Sequence, residues 1–505
     1  MLLNLKAMIV VLTVAMAVFV IAKPVCLRFM TEEDFTRRRN VWIALTLTAF
    51  LSPSFWLYAF VAIVVLAWAG WRDPNPAALY LLVLFAIPPG VGLQLPVVGI
   101  NQLFELDNYR ILSFAILVPA AWRLIRSRDK RATGGFSSMD ALVLTYAGFQ
   151  LIQLMPYESI TNTMRRAFLL VIDVLVAYFV ASRSCTSRRA IVEAMASFCL
   201  ICAIFAPLAL FESLKGWLLY VGIGTRWGSP VPWAYLFRAG DLRAQVSVGH
   251  SLALGYIMAI AFGFWLYLGS RTRSSLLTVL GGIVMWIGLI ATYSRGPWIV
   301  AVVIFFAFLA IGPNGTPRLL KAALISAVVI GLVLISPIGG RVIESLPFVG
   351  SVGAGTVTYR ERLAEQAWQQ IQQHPFLGNP FVLKHLEDLR QGQGIIDLVN
   401  AYASVAMFYG LLGLSLFVGT FLVGIAGAIR TAKGAAQSDA DLRWLGSALI
   451  ACMVGTLVML GIGSLDRGQT LYAFAGLLAA YARLGASPER ARADSLGMRG
   501  REDPV

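Results

Sequence analysis

The residues best suited to chemistry on a charged substrate cluster at the ends of apolar runs. Arg238, Arg243, Arg295, Arg341, Arg360 and Arg362 fall in or beside two long polar segments, near 212–246 and 338–399. A guanidinium keeps its charge, and its planar fork bonds two oxygens at once, which suits a diphosphate. Arg295 stands out, lying in Tyr293-Ser294-Arg295-Gly296-Pro297 between two apolar helices with almost no loop. A charge held that close to hydrocarbon is costly and needs a partner. Gly296 would let another chain approach closely, and Pro297 suits the first turn of the next helix. Any one of these arginines reads equally well as a solvated or headgroup contact. The cluster reads as a site for an anionic, lipid-linked substrate.

The elements that must hold these residues are membrane helices. The chain has 505 residues, 58% hydrophobic and 13% charged, where a soluble domain carries about a quarter charged residues. Such a chain is expected to be all-α, because backbone polar groups in lipid must be satisfied within the segment. Twelve core transmembrane helices are expected, near 77–92, 108–124, 139–156, 167–182, 190–211, 247–268, 275–293, 297–312, 319–337, 400–427, 443–462 and 468–484. One to three membrane segments precede them: the run Ala7–Ala22, read as a retained helix, and Val41–Gly70, which Ser52-Pro53-Ser54 can break into a hairpin. The expected divisions are N-terminal membrane segments (1–76), a transmembrane core (77–337), a long partly helical loop (338–399), three last helices (400–485) and a basic tail (486–505).

Orientation follows from short basic loops. Arg126, Arg128, Lys130 and Arg131, then Arg183, Arg188 and Arg189, then Arg271 and Arg273, then Arg430 and Lys433, all fall on one side if the helices alternate. That side is expected to be cytoplasmic, which accounts for the net charge of +15 without nucleic-acid binding. The two long loops then face the periplasm. Within the second, Tyr359–Ile371 reads as an amphipathic helix with Leu363, Ala367 and Ile371 on one face, ended by His374-Pro375.

Five cysteines and three histidines give no metal-ligand pattern. Cys199 and Cys202 form a C-x-x-C inside an apolar helix and read as small buried hydrophobes. His385 reads as solvated. Trp217, Trp227, Trp233 and Tyr235 could stack on sugars or form an interfacial belt. Asp173 is a candidate mid-membrane charge.

Ser294-Arg295-Gly296 between two helices resembles the signature of the O-antigen ligase/polymerase superfamily, the WaaL-like ligases and Wzy-like polymerases. Three further features match in order. Arg243-Ala244-Gln245-Val246-Ser247-Val248-Gly249-His250 resembles the family's earlier arginine segment. Tyr359-Arg360 followed by His374-Pro375-Phe376-Leu377-Gly378 resembles its next motif. Asn400 with Gly410 and Gly413 resembles the second half of the ligase motif, in which a His precedes the Asn. Here that position is Val399, which shifts the expectation from ligase toward polymerase. The resemblance covers roughly residues 77–485.

The resemblance implies glycosyl transfer outside the cytoplasm from an oligosaccharide on undecaprenyl diphosphate, without a metal or other cofactor. Arg243 and Arg295 would stabilise the departing diphosphate, and His374 would serve as base. Arg360, Arg165, Arg238, His250, Ser294 and Asn400 would contact substrate. The implied partners are that lipid-linked donor, membrane lipid, a chain-length regulator and export proteins. A transporter or flippase is the reading from another class, although no internal repeat supports it. A non-catalytic scaffold of an export complex is a third.

Overall fold

The computed structural model describes residues 2–88, 92–97, 100–127, 135–228, 235–238, 240–272, 274–335, 354–390, 396–434, 439–464 and 468–485. Arg128, Lys130, Arg131, Trp233, Arg273, Arg341 and the tail 486–505 lie outside the described residues.

Among the described residues, seven helices are long and apolar enough to cross a membrane, making this a multi-pass membrane protein. They are α1 (Leu2–Cys26), α3 (Phe55–Arg72), the helix running from α8 (Ile160–Leu170) into α9 (Val176–Ser184), α10 (Arg188–Lys215), α12 (Ser251–Ser270), α17 (Ala401–Gly434) and α18 (Ala440–Ile462). Two shorter apolar helices, α13 (Ser275–Ala291) and α14 (Arg295–Ile311), pack among them. The remaining larger helices are α2 (Glu32–Leu51), α7 (Ser138–Leu154), α15 (Gly315–Ile335), α16 (Ala354–Gln373) and α19 (Gln469–Gly485), and the short α11 (Val221–Arg226) follows α10. Local sequence starts many of them. The side chains of Thr31, Ser54, Ser187 and Asp439 cap α2, α3, α10 and α18 by accepting first-turn N–H groups, and Ser137 with Asp140 closes a capping box on α7.

The apolar stretch Val41–Gly70 is a helical hairpin, broken at Ser52–Ser54. The run near 77–92 differs from a full helical span. Helix α4 covers only Pro76–Val83, and an antiparallel hairpin of β1 (Gly92–Val97) and β2 (Ile100–Asp107) follows. Pro88 and Pro89 lack the N–H groups that a helix continuing through this run would need. The next helix, α5 (Asn108–Leu112) into α6 (Val118–Arg126), carries a π-turn at Ser113–Leu117, and the helix from α8 to α9 carries one at Val171–Leu175. Asp173 sits in the second π-turn, where Arg110 pairs with it at 2.9 Å and Gln469 donates to it at 2.9 Å. The free cysteines are all buried, as expected for Cys199 and Cys202.

The amphipathic helix expected near Tyr359–Ile371 is α16. Leu363 and Ala367 form a small second core with Val382, Leu386, Leu389 and Met407, with Ile371 packed against it. This cap is locked into α17 by backbone. Gly410, with φ of +66°, breaks the helical ladder. Leu411 N–H then donates to Pro375 O at 2.7 Å, Leu412 N–H to Phe376 O at 3.3 Å, and Asn379 N–H to Met407 O at 2.8 Å. Gly378, also at positive φ, lies against the same break, and a Cβ at either glycine would strike the other segment's backbone. The Gln153 amide of α7 bridges Leu377 O and Phe408 O across the joint.

Candidate functional site

The turn between α13 and α14 carries the first functional residues. Thr292 Oγ1 accepts from Ser294 N–H, and Ser294 Oγ donates to Thr292 O at 3.1 Å, so the turn is rigid. Arg295 opens α14 directly after it. Gly296 permits the close approach of Ile462 from the end of α18, which a Cβ would meet at 2.8 Å. Pro297 packs on Gly255 of α12 in the same way.

The polar segment after α10 folds onto this turn. A two-residue antiparallel pair, β3 (Phe237–Arg238) with β4 (Asp241–Leu242), brings two arginines to it. Arg238 Nη1 donates to Tyr293 O at 2.9 Å. Arg243 donates through Nε to Thr292 O at 3.3 Å and through Nη2 to Ser294 Oγ at 2.8 Å. Ala244 N–H bonds Ala291 O at 3.1 Å, stitching the segment to the end of α13. From the cap, Arg360 of α16 donates through Nη2 to Ile462 O at 3.3 Å.

Four guanidinium groups therefore converge from three separate segments. Arg238, Arg243 and Arg360 direct their hydrogen bonds to neutral carbonyl or hydroxyl oxygens. Burial, then the charges of Arg295 and Arg360, pull the Arg238 guanidinium below its usual range. Burial and then Arg238 push Arg243 down to about 10, which still leaves it cationic at neutral pH. Crowded, partly desolvated positive charge of this kind is relieved by an anion.

His250 and Asp397 complete the site. His250 caps α12, its Nδ1 accepting from Leu252 N–H at 3.2 Å. That bond places the neutral ring's proton on Nε2, which is then a donor. Desolvation, then the Arg243 charge, hold the imidazole below its usual range, and Asp397 opposes them. Asp397 is anchored by its backbone, because the Tyr359 hydroxyl accepts from Asp397 N–H and donates to Asp397 O, both at 3.1 Å.

Arg238, Arg243, Ser294, Arg295, Arg360 and His250 are thus gathered at one end of the bundle. His374 lies just past the far end of α16, roughly 20 Å along the helix from Arg360 at 1.5 Å per residue. It is exposed and adjoins the backbone joint at Gly410. Arg165 lies on α8, and none of the described bonds of Arg238, Arg243 or Arg360 reaches it. Asn400 caps α17, its carboxamide oxygen accepting from Tyr402 and Ala403 N–H. Val399 packs against the second core. Trp227 is structural: it stacks on Tyr58 at 5.0 Å and donates to Ser52 O, while Tyr235 stays open to a ligand.

Sequence reasoning missed Glu212. Its buried carboxylate, near the end of α10, accepts from Leu219 N–H at 2.8 Å, Gln245 N–H at 2.9 Å and Val246 N–H at 2.8 Å. The only signal was an acidic residue closing an apolar helix. Among the described residues, no group of His, Cys, Asp and Glu side chains is arranged to hold a metal.

Residues 280–418 match the family model described as O-antigen ligase, Wzy_C. The match supports the resemblance of the motifs to the O-antigen ligase/polymerase superfamily. The matched region runs from within α13 to within α17, so it contains Ser294, Arg295, Arg360, His374, Asn400 and both glycines of the joint. Arg238, Arg243 and His250 lie before it and join the site only through the fold. Members of this family are glycosyltransferase-like enzymes, which supports glycan transfer as the class of activity. The matched stretch is narrower than the 77–485 over which the motifs are spread. No curated protein matches the chain.

Proposed function

We propose that the protein is a polysaccharide repeat-unit polymerase of the bacterial inner membrane, oriented so that the arginine cluster faces the periplasm. It takes a glycan from undecaprenyl diphosphate and joins it to a sugar hydroxyl of a second lipid-linked unit, as in the assembly of exopolysaccharide, capsule or O-antigen. The observation that carries this reading is the convergence of Arg238, Arg243 and Arg360 on neutral oxygens beside Arg295. As the acceptor oxygen bonds to the anomeric carbon, the bond to the diphosphate breaks and negative charge grows on the leaving group. Preorganised guanidinium groups stabilise that charge without a metal.

The acceptor hydroxyl must lose a proton. Asp397, within electrostatic reach of His250, is the base in this reading. His250, with its proton on Nε2, donates to substrate or to Asp397. His374 stands too far along α16 for that role in the described arrangement. The apolar setting of Val399, where the ligase motif has His, favours polymerase over ligase. The ligase description of the matching family supports the second reading, transfer to a different acceptor.

The test is glycan chain length on gels from a deletion strain complemented with wild type or with Arg295→Ala. Single-repeat or absent polymer, rescued by wild type alone, supports the polymerase. Full-length polymer retained on the lipid carrier supports a ligase. An unchanged profile in the deletion rules out glycan assembly.

A further inference from the structure

Glu212 is fully buried near the end of α10, and among the described residues its carboxylate bonds only main-chain N–H groups. A carboxylate taken out of water with no cation beside it is an expensive way to satisfy three donors. Its placement explains the expense. One oxygen holds Leu219, at the start of the polar segment that follows α10, and the other holds Gln245 and Val246 near its end. Val246 has φ of +48°, a conformation that a β-branched side chain resists. Successive N–H groups in such a backbone form a small anion-binding concavity. Here the anion is built into the protein.

Arg243 lies two residues before this concavity, tied to Leu236 O through its own N–H. Ala244 is tied to Ala291 O. The guanidinium thus reaches Ser294 and Thr292 from a backbone held at Arg243, Ala244, Gln245 and Val246. We propose that Glu212 is a positioning residue: by clamping the Gln245–Val246 turn it aims Arg243 and sets the affinity of the site for a lipid diphosphate. This rests on the reading of the arginine cluster as a diphosphate site.

Glu212→Gln is the decisive variant. Its amide oxygen can still serve Gln245 and Val246, but its NH2 then faces the Leu219 N–H, donor against donor. The measurement is binding of undecaprenyl diphosphate to full-length protein in nanodiscs, with thermal unfolding recorded alongside. Wild type, Glu212→Gln, Arg243→Ala and the double variant are compared. Folded Glu212→Gln is expected to bind about tenfold more weakly, a change of about 1.4 kcal/mol. The double variant is expected to bind no more weakly than Arg243→Ala, because residues acting through one another are not additive. Wild-type affinity in Glu212→Gln, with Arg243→Ala weakened, overturns the positioning role and leaves the site standing. Additive losses also overturn it. Wild-type affinity in Arg243→Ala overturns both the role and the diphosphate site. If Glu212→Gln does not accumulate, Glu212→Asp, which keeps the charge but retracts it, is subject to the same comparison.

Discussion

At the end of the bundle where α2 and α10 begin, arginines meet carboxylates. Arg38 forms two hydrogen bonds with Asp73, at 2.9 and 2.7 Å, and pairs with Glu193 at 2.8 Å. Arg183 and Arg483 both close on Asp140 at 2.8 Å, and the Tyr178 hydroxyl adds a bond at 2.7 Å. At the start of α18, Arg188 pairs with Asp439 and Asp441, and Arg271 pairs with Asp441. At the opposite end, Arg238, Arg243 and Arg360 meet carbonyls and a serine hydroxyl, and burial, then neighbouring guanidinium charge, pushes Arg238 and Arg243 down in pKa. The same side chain serves two purposes. Where its charge is neutralised within the fold, it fastens helices. Where it is held by neutral oxygens among like charges, its orientation is fixed and its charge is left for a ligand.

The contrast can be broken most severely at Asp140. Asp140→Ala leaves Arg183 and Arg483 facing each other in a buried setting, a loss of roughly 3–5 kcal/mol. The expected result is a large drop in protein level and unfolding temperature in detergent. Arg243→Ala or Arg295→Ala should do the reverse. Activity is expected to fall by roughly 10²–10³-fold while protein level and thermal stability stay near wild type. Arg243→Lys should recover little, because a point charge does not reproduce the fork to Thr292 and Ser294. If Arg243→Ala instead unfolds the protein, the two ends do not differ as argued.

Gly410→Ala tests the joint between cap and bundle. A side chain at that positive φ, pressed against the Phe376 carbonyl, should cost roughly 1–3 kcal/mol. It should also weaken Arg360's placement, read as an activity loss smaller than that of Arg243→Ala. The smallest effect is expected at His250. A histidine with a lowered folded pKa contributes stability that is present above its unfolded pKa and lost as pH falls through the folded one. Unfolding temperature should therefore drop on acidification below the ordinary His range. His250→Asn, which keeps a helix cap, should flatten that dependence.

Much of this was legible in the residues. Apolar run length predicted helices, Ser52-Pro53-Ser54 the hairpin, and Leu363, Ala367 and Ile371 the amphipathic face. Those are local properties of composition and period. The α4 break is less legible, because the hydrophobicity of the run continues past the point where the helix ends. His374 and Arg360 belong to one motif by order, yet a straight helix between them sets them far apart. His250 and Asp397 are remote in sequence and come within electrostatic reach only in the fold. Glu212 was missed because its partners are main-chain N–H groups, which leave no side-chain pattern to read.

Sequence alone determined that this is a membrane protein with arginines displaced toward one face, since hydrophobicity and charge are sums over residues. Tertiary structure decided which arginines are neutralised and which are held ready for an anion. That distinction depends on whether a carboxylate or a carbonyl lies within about 3 Å, and the partners come from helices that are distant along the chain.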